Sequence, residues 1–371
     1  MRRITELDSL RGLAALAVVL YHVCLGQFAI LGTGVDLFFV LSGYLITTII
    51  LAKRDEPHFL STFFVRRSLR IWPIYYLSLL AVIALAAILP LRFLPDEIPF
   101  YLTYTQNLPL YRLGVEPVPH RYFSHTWTLA IEEQFYLFWP VLIWTLGRRS
   151  IRPVAVGLVL LAVSARMIGY SRWIFLTRCD GLAVGSLLAI AFEGSAAGRF
   201  PAGSTARRLA LLGAASVGFG VAGPAALRAI GSAWEPAGRP LVGLSLRMLS
   251  INIFYGCLIG MIVGLAGCRG LAPLRSRGLA YLGQISYGIY LYHQLVSYLL
   301  DDFGGRIGIS GPVPLAVAKL GASFALAALS WRYLERPILA LKDRFGYREG
   351  AIRSPRFAGA GRLEAAETGA R

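Results

Sequence analysis

Apolar runs separated by short, arginine-bearing connections set the rhythm of this 371-residue chain. A helix that crosses a bilayer needs roughly 17–25 mostly apolar residues, because each residue rises about 1.5 Å. Runs of that kind are read at 8–26, 35–52, 71–89, 126–146, 153–170, 179–193, 208–226, 241–266, 279–300 and 312–334. The sixth is short and opens on Asp180, so its ends are the least defined. The predicted fold class is all-α, a polytopic transmembrane helix bundle of about ten spans.

Composition agrees. Hydrophobic residues make up 56% of the chain and charged residues 15%, against roughly 45–50% and about 25% in soluble domains. One soluble core could not hide so much apolar surface.

The net charge of +17 would suit nucleic acid if the basic residues ran together. They are instead distributed between the apolar runs, so no nucleic-acid partner is expected. Their distribution follows the positive-inside rule. Arg2 and Arg3 precede the first run; Lys53, Arg54, Arg66, Arg67 and Arg70 follow the second; Arg148, Arg149 and Arg152 follow the fourth. Arg199, Arg207 and Arg208 follow the sixth, Arg269, Arg275 and Arg277 the eighth, and Lys342, Arg344 and Arg348 the tenth. Every second connection is basic, which predicts both termini in the cytoplasm. The connection bearing Arg172 and Arg178 breaks the pattern.

The first run is read as a retained helix, not a cleaved signal, since no small-residue cleavage site follows it. Residues 1–340 are expected to form one transmembrane domain, and 341–371 a disordered cytoplasmic tail. The connection 90–125 is long enough to be a functional loop or lid. Cys24, Cys179, Cys257 and Cys268 form no CxxC pair and read as small hydrophobes.

Candidate chemistry lies in the polar residues inside these runs, where an ionisable group is costly and marks function by default. Arg11 and His22 are three helical turns apart on one face of the first run, about 16 Å along the axis. Arg11 alone is also compatible with an interfacial anchor, and His22 with a structural imidazole. A neutral imidazole can accept a proton from a hydroxyl at neutral pH.

Arg67 and Arg70, at i and i+3, present two guanidinium forks to one side, a geometry suited to phosphate. The same spacing also fits a plain positive-inside cluster. Glu132 and Glu133 open the fourth run and must face a cavity or an arginine. Arg178, Asp180, Ser286, Tyr287 and His293 are further polar positions. Glu335 with Arg332 and Arg336 is expected to form a salt-bridge set at a helix end. His58 and His120 are expected to be solvated.

Taken in order, several segments resemble one family. LDSLRGLAALAVVLYH, GVDLFFVLSGYLIT, RRSLRIWPIYY, HTWTLAIEEQFYLFWP, RCDGLAVGSLLA, ISYGIYLYH and ERP are similar to successive landmarks of the acyltransferase-3 family of bacterial integral-membrane O-acyltransferases, over about residues 4–340. Thr128 stands where the family often has serine.

The resemblance implies transfer of an acyl group, usually acetyl from acetyl-CoA, to a hydroxyl of a sugar-containing acceptor by a multi-pass protein of the bacterial inner membrane. It implies His22 as general base or acyl carrier, with Arg11 orienting the donor or stabilising developing charge. Glu132 or Glu133 would hold the imidazole tautomer as the acid of a triad does. Arg67 and Arg70 would bind the acyl-CoA phosphates. Asp36, His125, Trp127, Tyr287 and His293 would line the substrate site. No metal is expected, because no motif such as HExxH is present. Members often append an extracytoplasmic esterase-like domain, which is not expected within residues 1–371. The alternative reading is a secondary transporter or export partner.

Overall fold

A computed structural model describes residues 4–24, 26–89, 97–108, 122–195, 199–200, 205–230 and 241–346. The described residues are predominantly helical, without strands. Ten long helices are labelled here in chain order: α1 Thr5–Val23, α2 Gly34–Lys53, α3 Phe59–Ile88, α4 Trp127–Leu146, α5 Ile151–Met167, α6 Cys179–Ala191, α7 Thr205–Ile230, α8 Leu241–Gly264, α9 Arg277–Phe303 and α10 Pro312–Ser330. Each apolar run read from the sequence falls on one of them. Among the described residues, five segments are long and apolar enough to cross a membrane, and they contain α2, α3, α5, α8 and α10. α6 is apolar but only 13 residues long.

The helices too polar for that criterion include α1, with Glu6, Asp8, Arg11 and His22, α4, with Glu132, Glu133 and Gln134, and α9, with His293, Gln294, Asp301 and Asp302. In a bilayer such side chains are sustained only where helices turn them toward one another or toward a cavity. These three helices supply most of the candidate site.

Glycines decide how closely the helices approach. A Cβ at Gly283 would lie 2.1 Å from the Asp8 carbonyl oxygen, and one at Gly12 would lie 2.7 Å from the Gly283 nitrogen. α1 and α9 therefore touch backbone to backbone, as small-residue contacts allow between membrane helices. α2 and α6 do the same, since a Cβ at Gly43 would be 1.9 Å from the Leu182 carbonyl oxygen. The largest core cluster lies among α1, α2, α3, α4 and α9, with Trp139, Tyr75, Phe39 and Phe135 nearly or fully buried in it. Trp139 donates its indole N–H to Thr47 at 2.9 Å, so this large buried ring leaves no donor unmet. Leu137, Trp144, Leu160 and Leu161 are exposed, the pattern of a lipid-facing perimeter.

Some expectations need correction. Arg178 is not a loop charge: it is buried and pairs with Asp36 at 3.0 Å. That removes it from the positive-inside tally, which counts hydrated loop charge. Asp180 likewise pairs with buried Arg166 at 2.8 Å. Glu335 is buried and accepts from Ser330 at 3.1 Å, whereas Arg332 lies over the Tyr333 ring, so the expected salt-bridge set is replaced by hydrogen bonding. His58 is exposed, as expected. His120, most of the 90–125 connection and residues 347–371 lie outside the described residues.

Candidate active site

Arg67 and Arg70 lie on the first half of α3, one turn apart. Both line a cavity of roughly 680 Å³ of empty space, together with Arg11, Ser42, Glu132, Tyr136, Ser286, Tyr287 and Tyr290. Arg66, next in sequence, points elsewhere: its guanidinium donates to the carbonyl oxygens of Lys342 and Phe345 at 2.8 and 2.9 Å. One arginine of the RRSLR segment thus ties down the C-terminal end while the other two face the cavity. The i, i+3 geometry makes this division, because adjacent residues point about 100° apart.

The cavity is cationic. Three guanidiniums line it against one lining carboxylate, Glu132. Arg11 has Asp8 at 3.7 Å, one turn earlier on α1. No carboxylate lies within ion-pair distance of Arg67 or Arg70 among the described residues. Arg67 stacks over the Tyr136 ring at 4.1 Å, which fixes its plane without neutralising it. Ser42 donates to Glu132, and Tyr136 donates to Ser42 at 2.9 Å. This Tyr136–Ser42–Glu132 chain holds the carboxylate on the cavity wall. Glu133, on the next face of α4, accepts from the Trp72 indole at 3.1 Å. It lines a second cavity of roughly 550 Å³, which shares the Arg67–Tyr136 wall.

The histidines gather elsewhere. His22 at the end of α1, His125 just before α4 and His293 on α9 converge, with ring centroids 5.2 Å apart for His22 and His293 and 4.9 Å for His125 and His293. His22 is exposed, His125 is buried and His293 is fully buried. His293 Nε2 lies 3.2 Å from His22 Nδ1, and His293 Nδ1 lies 2.6 Å from the Tyr290 carbonyl oxygen. The ring that faces His22 is therefore His293. Glu132 and Glu133, expected there from the sequence, are bonded to Ser42 and Trp72. Their helix carries them inward from His125, toward the arginine level.

Tyr290 connects the two clusters. Its ring lines the cavity and lies 5.2 Å from the His125 ring, while its hydroxyl donates to the His125 carbonyl oxygen at 2.7 Å and contacts Thr128. Tyr287, one turn earlier, donates to the Ile71 carbonyl oxygen at 2.8 Å and lines the cavity.

Asp36 and Trp127 belong to neither cluster. Asp36 pairs with Arg178 at 3.0 Å, and Trp127 stands edge-on to Trp173 at 4.8 Å between centroids. Arg178 lies over both the Phe39 and Trp127 rings, so these residues form a packed ionic and aromatic support behind the cavity.

Sequence reasoning did not single out Ser42, Tyr136 or Tyr290. Two of them had a signal: Tyr136 stands at i+4 from Glu132, and Tyr287, Tyr290 and His293 repeat at three-residue spacing. Ser42 had none. Among the described residues no cluster of three His, Cys, Asp or Glu is placed to hold a metal ion.

The profile of an acyltransferase domain family, acyltransferase type 3, matches residues 4–332. The chain is 28% identical to the peptidoglycan O-acetyltransferase OatA of Listeria monocytogenes, over 90% of this chain and 56% of that protein. It is 25% identical to the O-acetyltransferase OatA of Staphylococcus aureus, over 91% of this chain and 57% of that protein. The chain thus spans somewhat more than half the length of these relatives. No solved structure matches it.

Proposed function

The chain belongs to the acyltransferase-3 family of integral-membrane acyltransferases, and on that premise we propose that it moves acetyl from acetyl-CoA to a hydroxyl of a sugar-containing acceptor at the bacterial cytoplasmic membrane. Glycan strands of peptidoglycan are the first acceptors to try, because the Listeria relative is named for that polymer.

The observation that carries this reading is the convergence of Arg11, Arg67 and Arg70 on one cavity. The Arg67 and Arg70 forks, with no carboxylate at ion-pair distance among the described residues, are suited to the phosphates of CoA. Glu132, held by Ser42, offsets part of the repulsion among the three cations. With the phosphates at this level, the pantetheine arm extends along α1 past Tyr290 toward the histidines. Arg11 is three turns from His22, so its part is to hold the donor and not to neutralise charge at the reacting carbonyl.

In the chemical step His22 accepts the proton of the acceptor hydroxyl at Nε2 as that oxygen attacks the thioester carbonyl carbon. The tetrahedral intermediate collapses with cleavage of the C–S bond, and the CoA thiolate takes the proton back from His22.

The topology proposed is ten spans with both termini cytoplasmic. The parallel run of α1 and α9 supports it. Seven long helices lie between them, and an odd number of crossings returns the chain to the side from which α9 must start.

The test uses protein in lipid nanodiscs, acetyl-CoA and soluble peptidoglycan fragments, and measures release of the CoA thiol and label transfer. General-base catalysis contributes about 10²–10⁴-fold, so His22→Ala should lose at least that factor while inserting at the parental level. Parental turnover by a well-inserted His22→Ala protein sinks the assignment.

A further inference from the structure

The unused polar group nearest the proposed chemistry is His293, a fully buried imidazole on a membrane helix. We infer that His293 is a positioning residue that fixes the His22 tautomer, leaving His22 Nε2 as the basic atom.

The argument follows donors and acceptors. The Tyr290 carbonyl oxygen can only accept, and it lies 2.6 Å from His293 Nδ1, so the proton of His293 is on Nδ1. A neutral imidazole with its proton on Nδ1 has a lone pair on Nε2. That lone pair faces His22 Nδ1 at 3.2 Å, so His22 Nδ1 carries the proton and donates it, with the Val18 backbone one turn back on α1 as a second acceptor beside the ring. His22 Nε2 is then the unprotonated nitrogen, and His22, unlike His125 and His293, keeps accessible surface. When Nε2 gains the acceptor's proton, His22 becomes an imidazolium, and its Nδ1–H bond to His293 becomes charge-assisted and stronger. A buried acceptor behind an exposed histidine is the arrangement of a catalytic triad, with a neutral imidazole in place of the carboxylate.

The fold enforces the pairing. Gly12 meets Gly283 and His22 meets His293 at the same sequence offset of 271. α1 and α9 thus run parallel in one register from the glycine contact to the histidines. A rotation or slip of either helix would break the alignment of the two rings.

This inference rests on the reading of His22 as base, and the experiments separate the two. First, the parent protein labelled with ¹⁵N-histidine should show His22 and His293 as neutral Nδ1–H tautomers by NMR. An Nε2–H tautomer at His22 overturns the inference whatever the fate of any variant. Second, His293→Phe keeps an aromatic ring and removes the acceptor. Its turnover number with acetyl-CoA and peptidoglycan fragments should fall at least about 100-fold, with KM for acetyl-CoA within about threefold of parental, since the arginine cavity is untouched. His293→Gln keeps an acceptor near the Nε2 position and should recover most of the loss. Equal defects in the Phe and Gln variants, or a defect confined to KM, mean that His293 only packs. If His22→Ala is inactive while His293→Phe turns over normally, this inference fails and the base assignment stands. If His22→Ala is fully active, the base assignment itself fails.

Discussion

The hydroxyl of Tyr290 donates to the backbone carbonyl of His125 at 2.7 Å, and so one side chain of α9 closes both the arginine cavity and the histidine cluster. Removing that hydroxyl deletes the 2.7 Å bond and leaves the Thr128 hydroxyl, at 3.4 Å, as the side-chain donor to the His125 carbonyl, a loss of about 0.5–1.5 kcal/mol. Tyr290→Phe is expected to lower the thermal midpoint by a few degrees. Acyl transfer should fall roughly tenfold, the equivalent of about 1.4 kcal/mol, because the wall between donor and base loosens. A differential scanning and turnover measurement on the same preparation checks both; parental values in each would show that Tyr290 is only filler.

The donor site makes its own prediction. A hydrogen bond to a charged group contributes about 1.5–3 kcal/mol, so Arg70→Ala and Arg67→Ala should each weaken CoA binding roughly 10- to 150-fold. Lysine should rescue only in part, since it lacks the planar fork. Calorimetry with CoA on the purified variants decides it: alanine variants that bind like the parent reduce the cluster to a topology signal.

Helix register can be tested at Gly283, where an added Cβ would fall 2.1 Å from the Asp8 carbonyl oxygen. Gly283→Val must push α1 and α9 apart. Overpacking of this kind costs roughly 1–3 kcal/mol or more. The variant is expected to show reduced stability and disordered His22 and His293 resonances together. An intact histidine pair in a stable Gly283→Val protein would mean that the glycine contact does not set the alignment.

Topology is accessible to reporter fusions. Fusions after residues 53, 149 and 344 should report cytoplasm, and one near residue 110 should report the opposite side. An outer signal after residue 344 requires an odd number of crossings and overturns the ten-span arrangement.

Hydrophobic periodicity sufficed to place the helices, because burial in lipid demands long apolar runs and leaves them visible in the sequence. Local spacing also sufficed to put Arg67 and Arg70 on one face, since i and i+3 are neighbours on any α-helix. Both line the cavity, and Arg11 and Glu132 join them there from other helices. The partners of the remaining ionisable groups were not legible. Asp36 finds Arg178 and His22 finds His293 across 142 and 271 positions of sequence respectively. Which helix faces reach each other depends on which backbones can touch, and that was settled by Gly12 with Gly283 and Gly43 with Leu182. The sequence by itself determined an all-helical membrane architecture and the inventory of guanidiniums, carboxylates and imidazoles available for chemistry. Only the tertiary structure decided that the arginines meet Glu132 and the imidazoles meet one another, because packing at a few small residues sets the register between helices distant in sequence.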